Sequence, residues 1–154
     1  AAAFCRSTHV IREVKVQPYI RNIEPPAELH RWCMDHSPFP DQLGLQISCT
    51  LFIGSPGSRT RLHLDKLHNA VMVLHGRKLL VLMSPEESRD LSAAEVIAIN
   101  AVLCRFADQA PCRFPGAASD KVMSCTRIGN MTLWHAWLTP GKTVIIPQGW
   151  LHFV

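Results

Sequence analysis

The chain lacks most of the features that mark a compartment or a partner. No apolar run approaches the roughly 18 residues that a membrane-crossing helix needs. The opening residues, Ala1-Ala2-Ala3-Phe4-Cys5-Arg6, lack the basic start and apolar stretch of a secretory signal, and there is no initiator Met, as expected of a piece cut from a longer protein. Lys and Arg never run beyond two in succession, so the net charge of +4 supplies no continuous basic track for nucleic acid. Charged residues are scarce at 18%, against 47% hydrophobic, which excludes a disordered chain. Aromatic residues are also few, at 7% with a single tyrosine, Tyr19. No glycine loop suited to phosphate and no serine-nucleophile elbow is present.

The six cysteines, at positions 5, 33, 49, 104, 112 and 125, form neither a C-x-x-C pair nor a disulfide framework. They read as reduced thiols of a nuclear or cytoplasmic protein. Cys104, Cys112, Cys125 and His135 have the donor types of a zinc site, but buried free thiols are the simpler expectation.

What is present suits one β-rich domain spanning 1–154, with 11 prolines and 8 glycines to make its turns. Strands are expected over 13–20, 46–53, 60–65, 70–75, 78–83, 132–138, 142–146 and 150–154. A short helical turn is expected over 27–34. A longer helical insert is expected over 84–106, opened by Ser84 as N-cap with Pro85 behind it. Residues 107–130, rich in Pro, Gly and polar residues, read as an irregular loop.

The chemistry sits in His63-Leu64-Asp65 and in His152 far downstream. On a strand, residues two apart point to the same side, so His63 and Asp65 can face one ion together. Two imidazoles and one carboxylate occupy one face of a metal octahedron and leave three positions open, the ligand set of mononuclear non-haem Fe(II) oxygenases. An isolated H-x-D is equally a surface turn pair, and His152 beside Trp150 is equally a core histidine. His68, His75 and His135 read as structural or exposed, and Trp134 and Trp150 as packing.

The wider context is more specific. An apolar strand reaches Gly54; Thr60-Arg61-Leu62-His63-Leu64-Asp65 follows, then Asn69, Gly76-Arg77-Lys78, and finally Pro140-Gly141-Lys142-Thr143-Val144-Ile145-Ile146-Pro147-Gln148-Gly149-Trp150-Leu151-His152. In order and spacing these elements resemble the Jumonji C (JmjC) family of Fe(II)/2-oxoglutarate oxygenases, over roughly residues 46–83 and 132–154. The resemblance implies an all-β double-stranded β-helix, a cupin-like jelly roll carrying a helical insert. Such a barrel has at least one more strand after the distal His, so the chain is expected to be truncated at its C-terminus.

For the site, the resemblance implies Fe(II) held by His63, Asp65 and His152, with 2-oxoglutarate and O₂ as cosubstrates yielding succinate and CO₂. Lys78 matches the lysine that pairs with the far carboxylate of 2-oxoglutarate, with Arg77 its rival. Thr60 matches the hydroxyl sharing that carboxylate, although strand parity places it opposite His63 unless a bulge intervenes. Asn69 matches a polar residue beside the cosubstrate in the protein-hydroxylase branch. No motif ties Tyr19 to the site. The spacing from His63 to Lys78 and the H-x-D form favour hydroxylation of a protein side chain. Gly149-Trp150-Leu151-His152 resembles the distal motif of some histone demethylases, so N-methyl-lysine demethylation is the alternative. An inactive JmjC binding or scaffold module is the alternative of another class, and an intact ligand set with Lys78 argues against it. The partner implied is a protein or peptide substrate, chromatin- or translation-related, with no membrane. Specificity is expected in loops 35–45 and 107–130.

Overall fold

A computed structural model describes residues 19–38, 48–113, 123–128 and 130–154. Residues 13–18 of the expected strand 13–20, residues 46–47 of the expected strand 46–53, most of loop 35–45 and residues 114–122 lie outside the described residues. Nine strands and three helices are described: β1 (Tyr19–Ile23), α1 (Ala27–Asp35), β2 (Leu51–Gly54), β3 (His63–Leu64), β4 (Asn69–Met72), β5 (Lys78–Met83), α2 (Pro85–Ser88), α3 (Ala93–Arg113), β6 (Ser124–Ile128), β7 (Met131–Leu138), β8 (Thr143–Ile146) and β9 (Leu151–Phe153).

The strands pair in an antiparallel five-stranded sheet, order β3-β9-β5-β7-β6, and in two ribbons, β4-β8 and β1-β2. The sequence of β5, Lys-Leu-Leu-Val-Leu-Met, explains its central place. An uninterrupted apolar strand has to be covered on both faces. Leu80 and Leu82 pack with Ala136, Leu138, Val144 and Ile146 toward the β4-β8 ribbon, while Leu79, Val81 and Met83 pack with Ile99 and Leu103 of α3. The five-stranded sheet is therefore sandwiched between a second strand layer and a helix. This is the all-β, cupin-like jelly roll with a helical insert that the sequence leads one to expect.

The insert differs from its sequence reading in two ways. The helical stretch breaks at residues 89–92, because the first segment is only the single turn α2, whose Ser84 makes no side-chain cap bond. The stronger start lies at Ser92. Its hydroxyl receives the Glu95 N–H at 3.3 Å, and the Glu95 carboxylate receives the Ser92 N–H at 2.8 Å, a reciprocal capping box that launches α3. Beyond Phe106 the helix continues to Arg113, and residues 124–128 form strand β6 where the sequence suggests irregular chain. Proline and glycine lowered the apparent order of that region, but β6 gains its partners from β7, which local composition does not reveal.

Candidate metal centre

β3 pairs antiparallel with β9 so that His63 lies directly opposite His152, and the two rings stand 4.0 Å apart between centroids. His152 is in turn level with Leu82, whose side chain faces the β4-β8 layer, so both imidazoles open into the space between the layers. Asp65 follows immediately after β3 and completes the group. One ligand atom from each of His63, Asp65 and His152 lies within 4.8 Å of the others, and no other such group occurs among the described residues. The Asp65 carboxylate oxygens stand 3.3 Å from His152 Nε2 and 3.8 Å from His63 Nε2. An ion with bonds of about 2.1 Å holds adjacent ligands about 3 Å apart, so the spacing is near that of one octahedral face.

The protons are arranged for a cation. His63 Nδ1 lies 2.7 Å from the Arg61 carbonyl, and His152 Nδ1 lies 3.2 Å from the Trp150 carbonyl. A carbonyl only accepts, so each ring donates from Nδ1, which leaves Nε2, the atom turned toward Asp65, as the lone-pair nitrogen of the neutral ring. With both rings neutral, two lone pairs and a carboxylate converge, an arrangement that a metal ion stabilises. Burial pushes the His152 imidazolium to deprotonate below its ordinary pH, and neighbouring His63 adds to this; the Trp150 carbonyl and Asp65 oppose it in part. The neutral, ligating form is therefore favoured. Asn69, at the start of β4, donates from Nδ2 to Asp65 at 2.5 Å and holds the carboxylate in place.

A second polar group lies further along the same inner face. Lys78 begins β5 in step with Leu80 and Leu82, so it shares their side of the sheet with His152. Its Nζ approaches the Tyr19 hydroxyl at 3.5 Å and stands 5.1 Å from the centre of that ring, while the Tyr19 hydroxyl meets Thr60 Oγ1 at 2.9 Å. Arg77 points the other way and stacks its guanidinium 5.0 Å over Trp137. Strand alternation thus separates the two cations. Tyr19 carries no recognisable motif, and nothing local in the sequence fixes its distance from the other residues; Gly54 is the nearest signal. A Cβ there would overlap the Ser58 hydroxyl and come 2.9 Å from the Tyr19 ring, so the missing side chain lets Tyr19 lie flat on β2.

Thr60 reaches this face through a bulge. It exchanges both backbone hydrogen bonds with Val154, at 2.6 and 3.1 Å, while His63 is paired with His152. Three steps on one strand therefore match two on the other, which cancels the parity mismatch and turns Thr60 and His63 to the same side.

Two other readings change. Trp134 is 39% exposed on the inner face, opposite Leu82 and Cys125, and is not simply core packing. Cys125 shares that face, whereas His135, one residue along from Trp134, turns to the α3 side and bonds Thr126 Oγ1 at 2.9 Å. Cys125 and His135 thus lie on opposite faces of one sheet, which separates two of the donors considered for zinc; the side chain of Cys112 is outside the described residues. Cys33, Cys49, Cys104 and Cys125 are free thiols. His68 and His75 are exposed. No described helix is long and apolar enough to cross a membrane.

Residues 11–154 match the family described as cupin-like domain. A stretch of 103 residues, 67% of the chain, is 31% identical to the JmjC domain-containing protein A of Dictyostelium discoideum. The matched stretch covers 37% of that protein's length. No solved structure matches the chain. With its sheet order, its His-Asp-His group and these two likenesses, the chain belongs to the cupin-like domain family, as a domain of the JmjC type.

Proposed function

We propose that this domain is an Fe(II)- and 2-oxoglutarate-dependent dioxygenase that hydroxylates a protein side chain, with release of succinate and CO₂. The carrying observation is that a three-ligand metal group and a cation with two hydroxyls lie on one inner face. JmjC-type cupin-like domains include oxygenases of this class, which supports the reading.

The residues fit both groups. His63, Asp65 and His152 would hold Fe(II) and leave one side of it open. Lys78, Tyr19 and Thr60 would bind the far carboxylate of 2-oxoglutarate, one charge and two hydroxyls suiting a carboxylate's several acceptor sites. Lys78 and the level of His152 are four residues apart on β5, about 13 Å of strand, a gap that a five-carbon diacid and a lysine side chain span together. When bound, the iron and cosubstrate supply the oxidising power that inserts one oxygen atom into an unactivated C–H bond.

The chain's own residues position and neutralise. Two imidazoles and one carboxylate leave a ferrous site at a net charge of about +1, so a dianionic cosubstrate is attracted. Asn69 fixes Asp65 by donating to its carboxylate. The reduced thiols suit a nuclear or cytoplasmic setting for a protein or peptide substrate.

The test is mass spectrometry of candidate proteins after turnover with Fe(II), 2-oxoglutarate and O₂. A gain of one oxygen atom that depends on Asp65 supports hydroxylation. Loss of a methylene unit would show demethylation instead. No mass change and no succinate from folded protein would leave a binding module.

A further inference from the structure

The helical insert grips the metal centre at one point that the ligand set does not reveal. Arg61 and Leu62 lie inside the bulge, between the Thr60·Val154 and His63·His152 pairs. A bulged residue leaves the ladder, so the sheet does not fix how its peptide group is turned. Here the Leu62 N–H is taken up by a side chain of α3: it donates to Asn100 Oδ1 at 2.8 Å, across 38 positions of sequence. Asn100 is itself held, since its Nδ2 donates to the Val96 carbonyl one turn back at 3.1 Å.

The Leu62 N–H and the Arg61 carbonyl belong to one planar peptide unit, and the described chain has no cis peptide. They therefore point in opposite directions. Fixing the N–H toward α3 aims the carbonyl the other way, and that carbonyl receives His63 Nδ1–H at 2.7 Å. A continuous chain of hydrogen bonds results, from Val96 through Asn100 and the 61–62 peptide to the His63 ring. Each link polarises the next, and the last holds the proton on Nδ1. Among the described residues, His152 has no such side-chain link from the insert. Its Trp150 carbonyl is followed by Leu151, which pairs with Leu64 on one side and Met83 on the other, so the sheet holds it. α3 also anchors the same segment one turn further on, where Arg59 Nη1 donates to the Cys104 carbonyl at 3.1 Å, and the buried Leu62 side chain packs in the core shared with Ile99 and Leu103.

We infer that Asn100 is a positioning residue for the metal centre, setting the tautomer and direction of His63 through the 61–62 peptide; this rests on the metal-binding reading of His63, Asp65 and His152. The insert thereby tunes one ligand separately from the other.

Two variants test it under oxygen-free conditions with Co(II) as the probe. Asn100→Leu removes the acceptor at similar size, and Asn100→Asp keeps an oxygen facing Leu62 while losing the donor to Val96. Co(II) affinity is read from the visible band, and ring N–H signals are read by NMR in the metal-free chain. Asn100→Leu is expected to weaken Co(II) binding by about tenfold or more. It should also abolish the slowly exchanging His63 Nδ1–H signal while the His152 signal persists. Asn100→Asp is expected to stay near wild type in both. Unchanged affinity and an intact His63 signal in Asn100→Leu would overturn the inference, as would Asn100→Asp failing equally. If Asn100→Leu does not fold, hydrogen exchange in the wild-type chain decides, because an unprotected Leu62 amide also overturns it. Failure of the wild-type chain to take up Co(II) would instead count against the metal centre itself, and the His63 signal would still judge the linkage.

Discussion

Lys78 and Arg77 are adjacent cations with opposite fates, and the difference is one of strand parity. Lys78 faces inward to Tyr19, while Arg77 lies over Trp137 on the outer side. Lys78→Ala is therefore expected to raise the 2-oxoglutarate concentration for half-maximal succinate formation by at least about tenfold, since a charged hydrogen-bond partner is lost. Arg77→Ala should leave that concentration within about twofold. The reverse outcome would reassign the cation. The sequence pointed to Lys78 through its spacing from His63 and the family resemblance, and left Arg77 as a rival, because β5 is apolar on both faces and its pattern marks no inward side. Tyr19 was not legible: its contact with Lys78 spans 59 positions and depends on the β1-β2 pairing. A titrating residue away from the ligands offers a separate check. Burial pushes His135 to deprotonate below its ordinary value of 6.5. Well above 6.5 the residue has no effect, but as pH falls below that value the unfolded chain takes up the proton first, so stability declines until the folded pKa is passed. Urea unfolding of His135→Gln should accordingly show a smaller stability loss between about pH 7.5 and 5.5 than the wild type.

At the level of elements, β5 and α3 divide the work. β5 is buried on both sides, and its Leu80 is fully inaccessible. Leu80→Ala is expected to cost about 2–5 kcal/mol in urea unfolding, and Leu103→Ala on α3 a similar amount, because each removes a well-packed side chain and leaves a cavity. Ser92→Ala, which breaks the exposed capping box, should lower the urea midpoint by less than either. A loss from Ser92→Ala equal to that from Leu103→Ala would mean that α3 is held by its cap more than by its packing. β5 was read correctly from its apolar run, and β7 and β8 to within a residue. The ends of α3 were not, because its start is set by the Ser92–Glu95 exchange rather than by Ser84-Pro85, and its continuation past Phe106 includes Pro111, which reads in sequence as a helix breaker. The bulge at 61–62 was foreseeable as a necessity, since Thr60 and His63 cannot otherwise share a face. That Asn100 on the insert would receive the freed N–H has no local signature.

Across the whole molecule, the candidate metal group His63, Asp65 and His152 joins chain segments that the core only brings near. His63 and Asp65 come from the edge strand β3 and its exit, and His152 from β9 beside the centre of the sheet. An ion that binds only when these meet stabilises the folded chain by linkage. Saturating Mn(II) should therefore raise the melting temperature of the wild type, and Asp65→Ala should erase that rise while keeping the fold. Metal removal with a chelator should return the wild type to the lower value. The most direct measurement is the visible spectrum of the chain titrated with Fe(II) and then 2-oxoglutarate without oxygen. A weak charge-transfer band that grows with 2-oxoglutarate to saturation, and is missing in Asp65→Ala, is the expected result. Folded wild-type protein that shows no band at saturating Fe(II) and 2-oxoglutarate would contradict it.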